Sequence, residues 1–384
     1  MTKAHEILSK LVSFPILGGY PNLSIIEYIE NFLSERNISS HRIYNAEKTK
    51  ASLHARIGPA VDGGIILSGH TDVVPVAGQD WSTDPFELIE KPDGRLYARG
   101  SADMKGFLAC CLANVDLISS LDLKRPIYLA FSYDEEIGCI GAPDLVKAIN
   151  EHYAEKPKFA IIGEPSMMQP IVGQKGICIY QTTVNGSAGH SSRIRQEVSA
   201  VHEAMRLAMW LENKMNELIA DGHTDDRFTP EHTSIHIGKI HGGIAPNVIA
   251  DQCVFTWDVR TIPMDMPQAI HQEFIQYCAG REVELRKTFE DFTIETQALH
   301  PAVPGLDTDA DDEVVSLIKK WTGNDYLQTV SYAAEAGQFA EGGFQSVICG
   351  PGDIMQAHRA DEFISKEQLE KGAEFIATVA RSLT

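Results

Sequence analysis

The 384-residue sequence contains no C-x-x-C pair, no apolar run approaching the ~20 residues a membrane span requires, and no surplus of basic charge. Each absence removes a class of protein. The seven cysteines, at positions 110, 111, 139, 178, 253, 278 and 349, are odd in number, and the one adjacent pair cannot easily bridge to itself. They read as reduced, mostly buried thiols, which argues against a disulfide framework and against zinc held on thiolates. Without a long apolar run, no membrane partner is expected. Lys and Arg number 33 against 53 Asp and Glu, a formal charge of −20, so no basic face for nucleic acid is expected either. The opening Met1-Thr2-Lys3-Ala4-His5-Glu6 has no basic segment followed by an apolar one, so no secretory signal is read there and the cytoplasm is the expected compartment.

What remains is an ordinary well-packed chain. Hydrophobic residues make up 43% and charged ones 22%, and 30 Gly with 18 Pro rule out a low-complexity or collagenous sequence. At roughly 150 residues per domain, the length favours two or more domains. The acid surplus has two readings: a solvated surface that aids solubility, or carboxylates that bind metal cations or steer a cationic substrate.

Residues 3–16 and 23–36 are predicted amphipathic helices, the second with Asn22 as its N-cap. Strand-like runs follow at 52–57, 64–68, 126–132 and 159–162, with helices at 104–117 and 142–149 between them. Runs that are apolar without strict alternation, separated by helices, predict an α/β fold with a mostly parallel mixed sheet covered by helices. From about Lys175 the pattern changes: strand 177–184, helix 200–219, strands 233–240 and 252–260, helix 267–278 and strand 283–288. That order, β-α-β-β-α-β, is the ferredoxin-like one. Residues 176–289 are therefore expected to form an inserted α+β domain, and 1–175 with 290–384 a discontinuous catalytic domain. In the latter the pattern resumes with helix 313–321, strands 328–331 and 346–349, and helix 366–382.

Five segments carry a metal-binding type of side chain just past an apolar run: Gly69-His70-Thr71-Asp72, Ser101-Ala102-Asp103-Met104-Lys105, Asp134-Glu135-Glu136, Gly163-Glu164-Pro165 and Ala357-His358-Arg359. Three directly follow a predicted strand, Asp103 precedes a helix, and His358 follows a Gly-rich loop. In open α/β sheets, sites collect outside the carboxyl ends of the strands, so this topology gathers segments far apart in sequence. A lone histidine after a strand is more often a hydrogen-bonded structural one, and an acidic pair is usually solvated. Two histidines and several acidic groups arriving at the same sheet ends are harder to dismiss. Mixed imidazole and carboxylate donors suit zinc and tolerate cobalt or manganese.

These motifs, read as Gly69-His70-Thr71-Asp72-Val73-Val74-Pro75, Arg99-Gly100-Ser101-Ala102-Asp103-Met104-Lys105-Gly106, Asp134-Glu135-Glu136-Ile137-Gly138, Gly163-Glu164-Pro165 and the late His358, resemble those of the M20 metallopeptidases and deacylases over essentially the whole length. The resemblance implies a zinc-dependent amidohydrolase with two zinc ions per subunit acting on an N-acyl amino acid. Asp103 would bridge the ions, His70 and Glu164 would complete one site, and Glu136 and His358 the other. Glu135 would be the general acid and base, and the Asp72 carboxylate would fix the His70 tautomer. In Asn185-Gly186-Ser187-Ala188-Gly189-His190-Ser191-Ser192, His190 would stabilise the oxyanion in a partner subunit, which makes the insert a lid and dimerisation domain and the protein a homodimer. Asn247 and Arg260 match positions that grip the substrate, Gly350-Pro351-Gly352 could offer backbone N–H groups to a carboxylate, and Glu335 is expected to pair with a substrate ammonium.

Overall fold

Four strands, Ile65–His70, Ile127–Ser132, Phe159–Pro165 and Gln345–Gly350, run parallel, with Ile127–Ser132 beside Ile65–His70, then Phe159–Pro165, then Gln345–Gly350. They are the centre of a nine-stranded sheet in a computed structural model that describes residues 2–384. Antiparallel strands flank them: Ala51–Ile57 and Ser40–Tyr44 on one side, Ile171–Gln174 on the other. The central strands are buried along nearly their whole length because both faces are covered. Ile65, Leu67, Leu129, Phe131, Phe159, Ile161 and Val347 belong to one apolar core, shared with the helices Lys3–Val12, Leu23–Ser34, Lys105–Ala113, Glu313–Thr322 and Lys366–Arg381. The alternate residues point the other way, where the helices Ala142–His152 and Ala336–Glu341 pack. Burial on both faces erases the alternation that marks a half-exposed strand.

Local details depart from the sequence reading. Asn22 does stand before the helix Leu23–Ser34, but its side chain makes no cap bond. It accepts from the Ala51 N–H (2.8 Å) and donates to Ala51 O (2.9 Å) and Thr71 Oγ1 (3.1 Å), tying the helix start to the strand ends. The helix expected over 104–117 is two helices, Lys105–Ala113 and Val115–Ser120, because Asn114 donates its amide to Cys110 O and Ala373 O (2.9 Å each). All seven cysteines are free and buried.

The chain divides into two compact units, 1–173 with 306–329 and 334–384, and 174–305 with 330–333. The second unit holds a four-stranded antiparallel sheet in the order Ser234–Gly242, Gln252–Thr261, Gly176–Asn185, Thr293–Ala298, with helices Ala200–Ala220 and Pro267–Leu285. Its chain order is β-α-β-β-α-β. The strand expected at 283–288 is not there. The second helix runs on to Leu285, burying Ile270, Phe274 and Cys278 at four-residue spacing, with an Arg286–Glu282 ion pair (3.1 Å) at its end. The last strand is Thr293–Ala298, paired with Gly176–Asn185, and an Ile177–Val303 bridge keeps the chain with this unit. The long segment of this unit therefore runs to Gly305, past residue 289, and 330–333 join it. Among the described residues no helix is long and apolar enough to cross a membrane.

Candidate metal centre

The carboxyl ends of the four parallel strands each deliver a donor. His70 is the last residue of its strand, Glu135 and Glu136 follow Ile127–Ser132, Glu164 is next to last in Phe159–Pro165, and His358 follows Gln345–Gly350 across a loop. Asp103 comes from the turn before Lys105–Ala113. Two glycines let that helix sit close to the strand ends. A Cβ on Gly69 would fall 2.6 Å from Met104 Cε, and one on Gly163 would fall 2.0 Å from the Phe107 ring. Each glycine precedes a donor, so its absent side chain is what lets His70 and Glu164 meet Asp103.

Asp103 lies at the centre. Its Oδ1 is 3.1 Å from His70 Nε2 and its Oδ2 is 3.4 Å from His358 Nε2, so its two oxygens face two different imidazoles. His70 Nε2 is also 3.7 Å from Glu164 Oε1 and 3.8 Å from Glu135 Oε2, and His358 Nε2 is 2.9 Å from Glu136 Oε2. Two overlapping groups of donor atoms close enough to share an ion result: His70, Asp103 and Glu136, and His70, Glu135 and Glu164. Glu135, expected to stay off the metals, thus stands within reach of one.

The electrostatics fit a divalent cation. Burial pushes the Glu135 and Glu164 carboxyls well above the usual range, and their acidic neighbours push the same way, Glu136, Glu335 and Asp103 on Glu135, Asp103 and Glu135 on Glu164. Burial and the Asp103 charge lift Glu136 to about 7. For Asp103, burial pushes upward, but bonds to His358 and His70 prevail and hold its carboxyl low. Hydrogen bonds to Asp103 and Glu136 carry His358 to about 10. Glu164 Oε1 is buried with no hydrogen-bond partner among the described residues. Four carboxylates packed around two imidazoles repel one another, and a cation shared among them relieves that repulsion.

The supporting contacts revise the role expected of Asp72. His70 Nδ1 meets the Asp72 main-chain carbonyl at 2.9 Å, while the Asp72 carboxylate is 3.7 Å away, beyond hydrogen-bond length. The carbonyl sets the imidazole tautomer. The carboxylate instead accepts the N–H groups of Glu135 and Glu136 (3.2 Å each) and so fixes the acidic loop. Asp134, at a positive φ of 54°, accepts from the Gly19 N–H (2.8 Å) and pairs with Lys50.

Two further expectations are corrected. The Gly350 N–H donates to Ser166 Oγ (3.2 Å) and the Gly352 N–H to Gln368 Oε1 (3.2 Å), so this turn has no free donors for a substrate carboxylate. Gly350 packs against Gly163 backbone, where a Cβ would fall 2.0 Å from Gly163 O, and only glycine permits that approach. Glu335 is 1% exposed at the start of the helix Ala336–Glu341. It packs on the sheet face that carries Ser68, Ser132 and His70, with no well-formed hydrogen bond, and burial raises its carboxyl to about 7. A group that enclosed does not meet a substrate ammonium.

His190, Asn247 and Arg260 belong to the second unit and are not in this cluster. His190 is exposed, with its Nδ1 2.8 Å from Ser192 Oγ and accepting from the Ser192 N–H (3.2 Å). A neutral ring then carries its proton on Nε2, a donor. Asn247 adjoins it through the Ser191 N–H to Asn247 O bond (3.0 Å), and Arg260 donates to Ser331 O (3.4 Å) with Asp258 3.6 Å away. Sequence reasoning passed over Lys105, fully buried with Nζ donating to Phe14 O (2.8 Å), and Glu362, fully buried behind Asp103. The only sequence signal for either is its place beside a ligand motif.

Comparison with known proteins finds relatives over nearly the whole chain. The chain is 34% identical over 374 residues to an acetylornithine deacetylase of Myxococcus xanthus, covering 94% of this chain and 92% of that one. It is 33% identical over 387 residues to the acetylornithine deacetylase of Pasteurella multocida, covering 97% and 96%. Among solved structures it resembles an M20 family metallo-carboxypeptidase from Sulfolobus solfataricus (TM-score 0.79, 17% identity, 99% of each chain covered). It also resembles a dinuclear metal binding peptidase of the M20 family from Bacillus subtilis (TM-score 0.66, 16% identity, 99% and 97% covered). With residues 66–382 matching the family and the donors gathered at the strand ends, the chain belongs to peptidase family M20/M25/M40 and is a metal-dependent amidohydrolase.

Proposed function

We propose that the protein hydrolyses the amide of N2-acetyl-L-ornithine to acetate and L-ornithine, a step of arginine biosynthesis, in the cytoplasm and with two zinc ions per subunit. The observation that carries the hydrolytic reading is the Asp103 carboxylate, one oxygen of which faces His70 and the other His358. His70, Asp103 and Glu164 would hold one ion, and Asp103, Glu136 and His358 the other. Two acetylornithine deacetylases at 33–34% identity over nearly the full length support the substrate. A bound ion pair supplies Lewis acidity toward an amide carbonyl and toward water. Glu135, raised well above the usual carboxyl range by burial and acidic neighbours, takes the proton of the attacking water and passes it to the leaving amine nitrogen. Asp72 keeps Glu135 aimed through its N–H. Arg260 and Asn247 orient the substrate's carboxylate.

Side-by-side assay of acetylornithine, succinyl-diaminopimelate and acetylmethionine tests the substrate; a higher kcat/KM on either of the latter two removes the assignment. Because Glu335 is enclosed, Glu335→Gln is expected to leave the preference for acetylornithine over acetylmethionine within about twofold of the unmodified enzyme. Collapse of that preference would return Glu335 to the substrate pocket.

His190 completes the site as an oxyanion donor supplied by a second copy of the chain. The second unit exposes Ile244 (86%) and Ile194 beside the loop that carries His190, an apolar surface suited to a partner. His190→Ala is expected to reduce kcat by about 10²- to 10³-fold. Mixing that variant with Glu135→Gln, after exchange of subunits, should restore about one quarter of normal activity, since half the dimers then contain one complete site. No restoration, with exchange verified, would place His190 in its own subunit's site or outside catalysis.

A further inference from the structure

We propose that Glu362, Arg99 and Gln79 form a clasp of positioning residues that fixes Asp103 and His358, two donors brought from widely separated parts of the chain, as ligands of one ion. This inference rests on the dinuclear reading above. Glu362 is fully buried, and both of its oxygens are engaged. One accepts the N–H groups of Ala102 (2.9 Å) and Asp103 (3.0 Å); the other accepts the N–H of Gly100 (3.0 Å) and the Arg99 guanidinium (2.7 Å). An ionised carboxylate is an acceptor only, so it can take three amides and a guanidinium without turning a proton toward any of them. The turn that presents Asp103 is thus wrapped around one side chain, with Gly100 at φ 80° making the bend.

The other arm reaches His358. Arg99, 1% exposed, donates to Gln79 Oε1 (2.5 Å) and to Arg359 O (3.3 Å), and Gln79 Nε2 donates to His358 O (2.9 Å). Trp81 closes the outside: its Nε1 donates to Gln79 Oε1 (3.1 Å), and its ring lies 5.1 Å from the Arg99 guanidinium carbon. His358 has a φ of 62°, a conformation unusual for a side-chain-bearing residue, and the two bonds to consecutive carbonyls hold it there. One buried ion pair therefore sets the backbone of two donors, 255 residues apart, whose side-chain atoms meet at 3.4 Å. A metal site tolerates only about half an ångström of ligand displacement, so loosening either arm registers at the ion.

The test uses full-length protein loaded with cobalt, whose visible absorption reports ligand geometry. The unmodified protein is expected to bind two ions. Glu362→Gln, with the same shape but an amide N–H facing the backbone donors, should hold one of the two ions about 10- to 100-fold more weakly. It should also change the cobalt spectrum and reduce kcat with KM nearly unaltered. Gln79→Ala, which leaves the Glu362–Arg99 pair intact, should weaken one ion by a smaller factor with a spectral change of its own. Folded Glu362→Gln protein with both ions at normal affinity and an unchanged spectrum would overturn the clasp. Should that variant not fold, Gln79→Ala decides: an unchanged cobalt spectrum there overturns the link to His358. An unmodified protein that binds fewer than two ions would instead sink the dinuclear reading itself.

Discussion

Replacing Glu135 with Gln is expected to leave metal bound and to reduce turnover by about 10²- to 10⁴-fold, the span for removal of a positioned general base. The side chain of Glu135 is only 11% exposed, and its carboxyl lies among Glu136, Asp103 and Glu335, all of which favour its protonated form. A carboxyl so placed holds a proton taken from water more readily than an exposed one and can release it to an amine. Glutamine has the same shape and accepts no proton, so the metal ligands stay in place while the relay is cut. Glu135 Oε2 also lies 3.8 Å from His70 Nε2, close enough to serve as a ligand instead. Measuring zinc content beside kcat separates the two roles. Retained metal with lost turnover supports the relay; lost metal means that Glu135 is a ligand; full activity sinks both.

Removing the metal should make stability depend on pH in a particular direction. Glu136 is raised to about 7 from an ordinary 4.5, Glu135 and Glu164 are raised as well, and His70 and His358 are raised above 6.5. In each case the folded chain holds its proton more tightly than the unfolded chain does. The associated stability is complete below the unfolded value and is lost as pH rises through the folded one. Asp103, whose carboxyl is held low, acts oppositely but only in the acid range below its ordinary value of 3.8. From pH 5 to 8 the metal-free protein should therefore weaken steadily, with Glu136 alone contributing on the order of 3 kcal/mol. Metal binds the deprotonated donors, and so its affinity rises over the same interval. The gap in Tm between zinc-loaded and metal-free protein should widen from pH 5.5 to 8, by roughly 2–4 °C for the Glu136 contribution. Thermal melts of both forms across that range provide the check. A gap that stays level or shrinks would show that these carboxyls are not crowded without metal.

Much of this was legible in the chain. Apolar runs without alternation announced strands covered on both faces, and each of the donors His70, Glu136, Glu164 and His358 lay beyond the end of one. Short-range signals of that kind survive folding because they depend on what immediately flanks them. Boundaries survived less well. The helix beginning at Pro267 outlasted its expected end, since Glu282 and Arg286 continue its pairing, and the strand that follows became visible only through its partner, Gly176–Asn185.

By itself the sequence determined the fold class, which imidazole and carboxylate side chains arrive at the strand ends and the kind of chemistry, because side-chain type and position relative to strand ends are local properties. Only the tertiary structure decided how the second rank of residues is used. It gave the His70 tautomer to a main-chain carbonyl rather than to the Asp72 carboxylate, buried Glu335, occupied the Gly350 N–H, and drew both Glu362 and Gln79 to the Arg99 guanidinium. Hydrogen bonds are settled at the scale of tenths of an ångström by chain segments that meet only after folding, and no spacing along the sequence carries that distance.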